Sequence, residues 1–138
     1  MSTRKNIAKY GCLPIAVLIG IALALSGGED DTTANSDAKP PAYNVVQHDK
    51  TGNQRQVIVE VDTTKSLRAV FDAVTDQLDD EAGYYVQINC STGGTKAMDN
   101  RLANGRYAVG RMGAVVTGMD EGDAEFSTNP GRDCPAKN

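Results

Sequence analysis

The chain has 138 residues with 14 basic and 18 acidic side chains, a formal charge of −4 and no tryptophan. All 18 acidic residues follow residue 28, whereas three of the 14 basic residues precede it, so the later part of the chain has 11 basic residues and a charge of about −7. This acidic balance without a Lys/Arg cluster disfavours nucleic-acid binding, and the scarcity of aromatic residues argues against a surface that stacks on sugars or bases.

The N-terminal segment has the pattern of an export signal. Residues 11–25 are uncharged and apolar, with basic residues before them and acidic residues after them. Basic residues stay on the cytoplasmic side of a membrane, so the rest of the chain is expected outside the cell. Residues 1–28 are therefore predicted to be a membrane anchor, with residues 10–28 in the membrane, or a signal peptide. An anchor gives a single-pass cell-membrane protein, whereas cleavage gives a secreted one.

The composition then divides the chain once more. Residues 29–42 have almost no large apolar side chains, two prolines and several acids, which is typical of a disordered tether. Residues 43–138 carry regular hydrophobic patterns and are predicted to form one extracytoplasmic domain.

The first half of this domain has clear periodicities. Alternating residues predict strands at 43–48 and 55–62, which the turn-rich residues between them join as a hairpin. Apolar residues at three- and four-residue intervals predict a helix over 66–80. Alternation returns at 84–90 and predicts a third strand.

The second half is less regular. Loosely helical spacing predicts a second helix over 97–109, although Gly105 costs about 1 kcal/mol relative to alanine in a helix. Short apolar runs predict one or two closing strands at 114–117 and 124–127. The order β-β-α-β-α-β predicts an α+β fold, a two-layer domain whose helices lie against an antiparallel-dominated sheet.

Two cysteines lie beyond the export segment, Cys90 and Cys134. A single pair of cysteines in an oxidising compartment predicts a disulfide bond. Free buried thiols, the alternative, fit a cytosolic protein better.

The segment after Cys90 suggests two kinds of chemistry. A strand, a Gly-rich turn, Lys96 and a predicted helix follow one another, as in the loop of cysteine phosphatases. That enzyme class needs a thiolate and an arginine whose planar fork grips the phosphoryl oxygens, and lysine does not supply the same fork. A milder hypothesis is that the backbone amides of this turn hold an anion at a helix N-terminus, and the ordinary alternative is that the turn caps the helix. The possible anion-binding residues are Ser91, Thr92, Gly93, Gly94, Thr95 and Lys96.

Metal-binding patterns are weak. The acidic cluster at 119–125 lacks the spacing of an EF-hand loop, and we interpret it as a solvated turn. His48 is the only histidine, so zinc sites and histidine-based triads lack their parts. We expect no catalytic residues, no metal and no cofactor.

Residues 43–135 resemble a known group of sequences. The stretches YYVQINCSTGGT at 84–95, NRLAN at 100–104 and PGRDCP at 130–135 are similar to those of small uncharacterised exported or membrane-anchored proteins of actinobacteria. The resemblance implies a location in the cell envelope, and it brings no activity or site residues.

These patterns favour a non-catalytic binding or interaction module that holds a protein or small ligand through its sheet or the loops near Cys90. One alternative is a secreted enzyme that uses the Cys90 loop. Another is a purely structural or regulatory envelope anchor.

Overall fold

A computed structural model describes residues 39–138 of the protein. They form a mixed α+β domain with one five-stranded sheet and two helices. The predicted membrane segment and most of the predicted tether lie outside the described residues. The elements in chain order are β1 (Tyr43–His48), β2 (Gln54–Val61), α1 (Leu67–Thr75), β3 (Ala82–Thr95), β4 (Met98–Val109), α2 (Gly110–Thr117) and β5 (Ala124–Thr128).

The strands lie in the sheet in the order of the sequence, β1-β2-β3-β4-β5. β2 and β3 are parallel, because α1 carries the chain back to the starting edge between them. The other three neighbouring pairs are antiparallel. The prediction of an antiparallel-dominated sheet is therefore confirmed.

The main core lies between the sheet and α1. Alternating side chains of β2 and β3 point to the same face, and the apolar side of α1 packs against them. The most enclosed of these side chains are Val57, Val59, Val61, Val70, Phe71, Tyr84, Val86 and Ile88.

The two helices lie on opposite faces of the sheet. Phe71 of α1 contacts the position of Gly105, which pairs with Val86, whereas Val116 of α2 contacts Gly83. Residues 83 and 86 of one strand point to opposite faces, because side chains alternate along a strand. The prediction of two layers is thus wrong, because a helix lies on each side of the sheet, whereas the α+β class is confirmed.

The predicted helix over 97–109 is wrong, since these residues form strand β4. The β3–β4 register shifts between Ile88 and Asn89, so that Leu102 is an extra residue on β4. Leu102 and Ala103 are consequently both buried, although they are consecutive. This bulge breaks the alternation that would have indicated a strand and leaves a spacing that resembles a helix.

The predicted strand at 114–117 is also wrong, since these residues belong to helix α2. Four apolar residues are too few to separate a buried strand from a helix by periodicity. Gly110 and Gly118, with φ of 64° and 73°, provide the left-handed turns at which the helix begins and ends. The strand predicted at 124–127 is confirmed as β5.

The other predicted boundaries differ less from the observed ones. The helix predicted over 66–80 ends at Thr75, and Gln77 and Leu78 continue in tighter turns, with backbone amides donating to the carbonyls three residues earlier. The disulfide between Cys90 and Cys134 is confirmed, and their Cα atoms are 5.4 Å apart. It attaches the C-terminal residues to the end of the core.

Candidate functional site

The face of the sheet opposite α1 carries a cluster of polar side chains, which we call the open face. It arises because every second residue of β3, β4 and β5 points away from the main core. The residues of the open face are Tyr85, Gln87, Asn89, Arg101, Asn104, Arg106, Glu125 and Ser127.

A concave cavity of about 660 Å³ lies over the open face, and we call it the polar groove. Helix α2 borders it at one end, where the hydroxyl of Tyr85 donates to the carbonyl of Val116 at 3.4 Å. Nη1 of Arg106 donates to the carbonyl of Thr117 at 3.0 Å. The groove is large enough for a small polar molecule or a few residues of an extended chain.

The β4 bulge places Arg101 in this cluster. Because Leu102 is the extra residue, Arg101 lies directly opposite Asn89 and shares its face. Without the bulge, Arg101 would have the same orientation as Ala103 and Gly105, whose positions face the core. A local irregularity of the strand therefore determines a side chain of the site.

The two arginines of the groove differ in their charge partners. Arg106 forms an ion pair with Glu125, and Nε of Arg106 donates to that carboxylate at 3.1 Å. The hydrogen bond to Glu125 raises the pKa of Arg106. Nη2 of Arg101 instead donates to the neutral Oε1 of Gln87 at 2.7 Å, and among residues 39–138 no carboxylate lies within ion-pair distance of Arg101.

Two buried polar atoms, one on Arg101 and one on its neighbour Asn89, lack hydrogen-bond partners among residues 39–138. Nε of Arg101 and Oδ1 of Asn89 are enclosed, and neither has a hydrogen-bond partner within the described part of the chain. Asn89 is only 4% exposed. Such atoms are uncommon in folded proteins because each loses its interaction with water and gains nothing in return.

Hydrogen-bonded amide side chains line the side of the groove formed by β4 and the residues after β5. Nδ2 of Asn104 donates to Oδ1 of Asn129 at 3.3 Å, and Nδ2 of Asn129 donates to the carbonyl of Arg101 at 3.1 Å. In residues 39–138, the hydroxyl of Ser127 makes no hydrogen bond to protein atoms. The groove thus combines a cation, amides and a hydroxyl that can meet the polar groups of a ligand.

The residues predicted to hold an anion lie elsewhere. Ser91, Thr92, Gly93, Gly94 and Thr95 form the end of β3, and Lys96 lies in the tight turn to β4. Because a strand follows this turn, the helix N-terminus that the hypothesis required is not there.

This segment instead holds the C-terminal tail. The hydroxyl of Thr92 donates to the carbonyl of Pro135, and Nδ2 of Asn100 donates to the carbonyls of Thr92 and Asp133 at 3.0 and 2.8 Å. Cys90 is bonded to Cys134 and is only 5% exposed. The contacts therefore explain the segment as part of the framework around the disulfide.

Two further polar features are structural in character. In the acidic cluster at 119–125, Glu125 is the partner of Arg106, and no group of metal-binding side chains converges among the described residues. At the end of the sheet where β2 and β3 begin, Arg55 pairs with Asp80 at 2.7 Å, and this contact lowers the pKa of Asp80. The hydroxyl of Tyr84 donates to the carbonyl of Asp80 at 3.0 Å, so these groups fix one another.

The β4 residues of the open face are not predicted from the sequence, because the spacing over 97–109 predicts a helix. Within a strand, Asn104 and Arg106 occupy alternate positions, and this alternation is the signal that could have found them. Arg101 has no such signal, since the bulge changes its phase.

Comparisons with protein-family models, curated proteins and solved structures found no significant match. Over residues 39–138 no helix has the length and apolar character needed to cross a membrane.

Proposed function

We propose that the protein is a membrane-anchored extracytoplasmic binding module whose polar groove holds a small polar ligand or a short protein segment without catalysing a reaction. The observation that carries this proposal is the open face itself. A concave sheet surface with several amides and an arginine that has no carboxylate partner among residues 39–138 is suited to hydrogen bonding with a ligand.

The proposed location has two kinds of support. The apolar run at 11–25 with basic residues before it is typical of export, and a disulfide such as Cys90–Cys134 persists in oxidising compartments outside the cytoplasm. Intact mass spectrometry of the exported protein without reduction tests this part. We expect a chain that retains residues 1–28 and the bond, whereas a chain cut near residue 26 would favour secretion.

The enzyme alternative required a free thiolate at Cys90. The bond to Cys134 removes that nucleophile, and the hairpin after Cys90 lacks the helix N-terminus that would polarise it. We therefore do not propose this activity. The alternative of a purely structural or regulatory anchor predicts that a soluble form of the domain cannot replace the full-length protein in cells.

A binding experiment tests the groove directly. The full-length protein in detergent is titrated with amino acids, short peptides and simple sugars, and binding is followed by backbone amide shifts in NMR spectra. We expect saturable shifts at Gln87, Asn104 and Ser127 with at least one of these compounds.

The matched variants are Asn104→Trp, which fills the groove, and Lys65→Trp, which adds the same side chain at an exposed position before α1. We expect Asn104→Trp to abolish the shifts and Lys65→Trp to retain them. Saturable shifts confined to residues 91–96, or none on the open face, would contradict the proposal.

A further inference from the structure

We infer that the ligand of the polar groove carries a carboxylate group and that Arg101 is the residue that binds it. Asn89 and Gln87 act as positioning residues for the guanidinium. This inference rests on the proposed function and gives the chemical class of its ligand.

The first step is the contrast between Arg101 and the other arginines that lie against the fold. Arg55, Arg68 and Arg106 each have an aspartate or glutamate within 4 Å. Arg101 is partly buried in the groove, and in the described residues it lacks such a partner. Burial of an uncompensated charge is unfavourable, and an external carboxylate would supply the missing partner.

The second step concerns the unpartnered atoms. Arg101 offers an enclosed donor at Nε and Asn89 an enclosed acceptor at Oδ1. The two residues are directly opposed in the antiparallel register, where Cβ atoms lie about 4.5 to 5.5 Å apart. A donor and an acceptor without partners among residues 39–138 therefore occupy facing positions on the open face. We infer that this pair forms when a ligand draws the Nη nitrogens into the groove.

The third step is the geometry of recognition. Gln87 accepts from Nη2 and holds one side of the guanidinium plane, while Nη1 has no protein acceptor in residues 39–138. A guanidinium fork held in this way matches the two oxygens of a carboxylate, which a point charge such as lysine does not. Bidentate binding requires this orientation, so the positioning residues contribute to affinity without touching the ligand.

The net charge of the groove indicates how many carboxylates the ligand carries. Glu125 neutralises Arg106, so Arg101 supplies the one uncompensated charge among the open-face residues. The rest of the ligand meets Asn104 and Ser127, which are neutral. A single carboxylate beside neutral hydrogen-bonding groups describes both a peptide C-terminus and a sugar acid.

The test uses two matched pairs of probes with the full-length protein in detergent. N-acetyl-alanyl-alanine is compared with its C-terminal amide, and D-glucuronate is compared with D-glucose, by NMR titration. We expect at least one carboxylate probe to shift the open-face amides saturably and to bind at least tenfold more tightly than its uncharged counterpart. The probe that succeeds identifies the peptide or the sugar acid as the source.

Variants assign the contact to Arg101. We expect Arg101→Lys to weaken binding at least tenfold, because the fork is lost, and Arg101→Met to abolish it. The matched control is Arg111→Met, which removes an exposed arginine of α2 and is expected to bind as the parent protein does. Binding by Arg101→Met with unchanged affinity would overturn the inference.

The positioning role has its own spectroscopic readout. We expect the Nε–H resonance of Arg101 to shift and its exchange with water to slow when the carboxylate probe binds. In Asn89→Leu we expect the Arg101 resonance to stop responding to the probe and the affinity for the probe to be weaker. If Asn89 had only a structural role, the resonance would still respond.

The outcomes separate this inference from the proposed function. Equal binding of charged and uncharged probes to the open face would overturn the carboxylate inference and leave the groove as a binding site. No binding of either carboxylate probe would overturn the inference, and failure of the wider compound panel as well would overturn both.

Discussion

At the scale of single residues, Gly105 allows the helix to approach the sheet. A Cβ atom at this position would overlap the ring of Phe71, which is fully buried and packs against Phe126 at 5.3 Å between ring centroids. Because the surrounding core is full, the ring cannot move aside without displacing other side chains.

We therefore predict that Gly105→Ala lowers the free energy of unfolding by about 1 to 3 kcal/mol, as overpacking of a core does. Urea denaturation measures this. The double variant Gly105→Ala/Phe71→Leu tests the cause, because the smaller leucine side chain relieves the overlap. The double variant should lose less free energy of unfolding than the sum of the losses in the two single variants. Simple additivity of the two changes would contradict the explanation.

His48 is a second residue with a measurable effect. It is partly buried, its Nε2 is enclosed without a hydrogen-bond partner in the described part of the chain, and its ring meets that of Tyr84 edge-on at 6.3 Å. Burial lowers the pKa of His48, the positive charges of Lys50 and Arg55 lower it further, and Asp49 and Asp80 oppose this.

Because the pKa is lower in the folded state, the unfolded chain binds the proton more tightly. The contribution of His48 to stability is therefore complete above pH about 6.5, declines below it and becomes constant below the folded pKa. We predict that the free energy of unfolding falls between pH 7.5 and 5.5 and that His48→Gln makes this profile flatter. An equal slope in both proteins would show that other groups cause the decline.

At the scale of elements, two glycines allow α2 to pack closely on the open side of the sheet. A Cβ atom at Gly113 would lie 2.5 Å from the carbonyl oxygen of Ala82, and one at Gly83 would lie 2.6 Å from Cγ1 of Val116. The backbone of the helix therefore contacts the backbone of β3 through glycine. This packing also positions the end of the polar groove.

We predict that Gly113→Ala moves α2 away from the sheet and lowers the free energy of unfolding by about 1 to 3 kcal/mol, because a backbone carbonyl cannot yield as a side chain can. Alanine favours a helix over glycine by about 1 kcal/mol, which offsets the cost only in part. Urea denaturation gives the energy, and amide shifts of Tyr85 and Arg106 report the groove. Arg111→Ala, on the exposed side of α2, is the control and should change stability by no more than about 0.5 kcal/mol.

At the scale of the whole molecule, the disulfide joins the C-terminal tail to the end of the sheet. Cys90 and Cys134 are 44 residues apart in the sequence, and Asn100 adds hydrogen bonds to the same tail. Closing a loop of this length restricts the unfolded chain and stabilises the fold by about 4 kcal/mol in the chain-entropy model.

We predict that the double variant Cys90→Ser/Cys134→Ser loses about 2 to 4 kcal/mol, with a lower denaturation midpoint. Urea denaturation with and without a reducing agent checks this, since reduction should affect the parent protein and leave the double variant unchanged. Equal stability of the oxidised parent and the variant would show that the tail contacts hold without the bond.

The sequence by itself determined the features that depend on local periodicity and composition. The β1–β2 hairpin, the start of α1, strand β3 and the cysteine pair all follow from such patterns, because alternation, helical spacing and cysteine number act over short distances. The apolar run at 11–25 belongs to the same class of signal, and its role in the membrane stays a prediction.

Only the tertiary structure decided the remaining elements and the site. Pairing with β3 makes a strand of β4, the bulge at Leu102 turns Arg101 toward the open face, and α2 forms where glycines let a short helix contact the sheet. Each of these depends on contacts between elements and not on the pattern within one segment. The physical reason is that a short apolar segment has no strong preference of its own, so its conformation follows from the partner against which it can bury its side chains and hydrogen-bond its backbone.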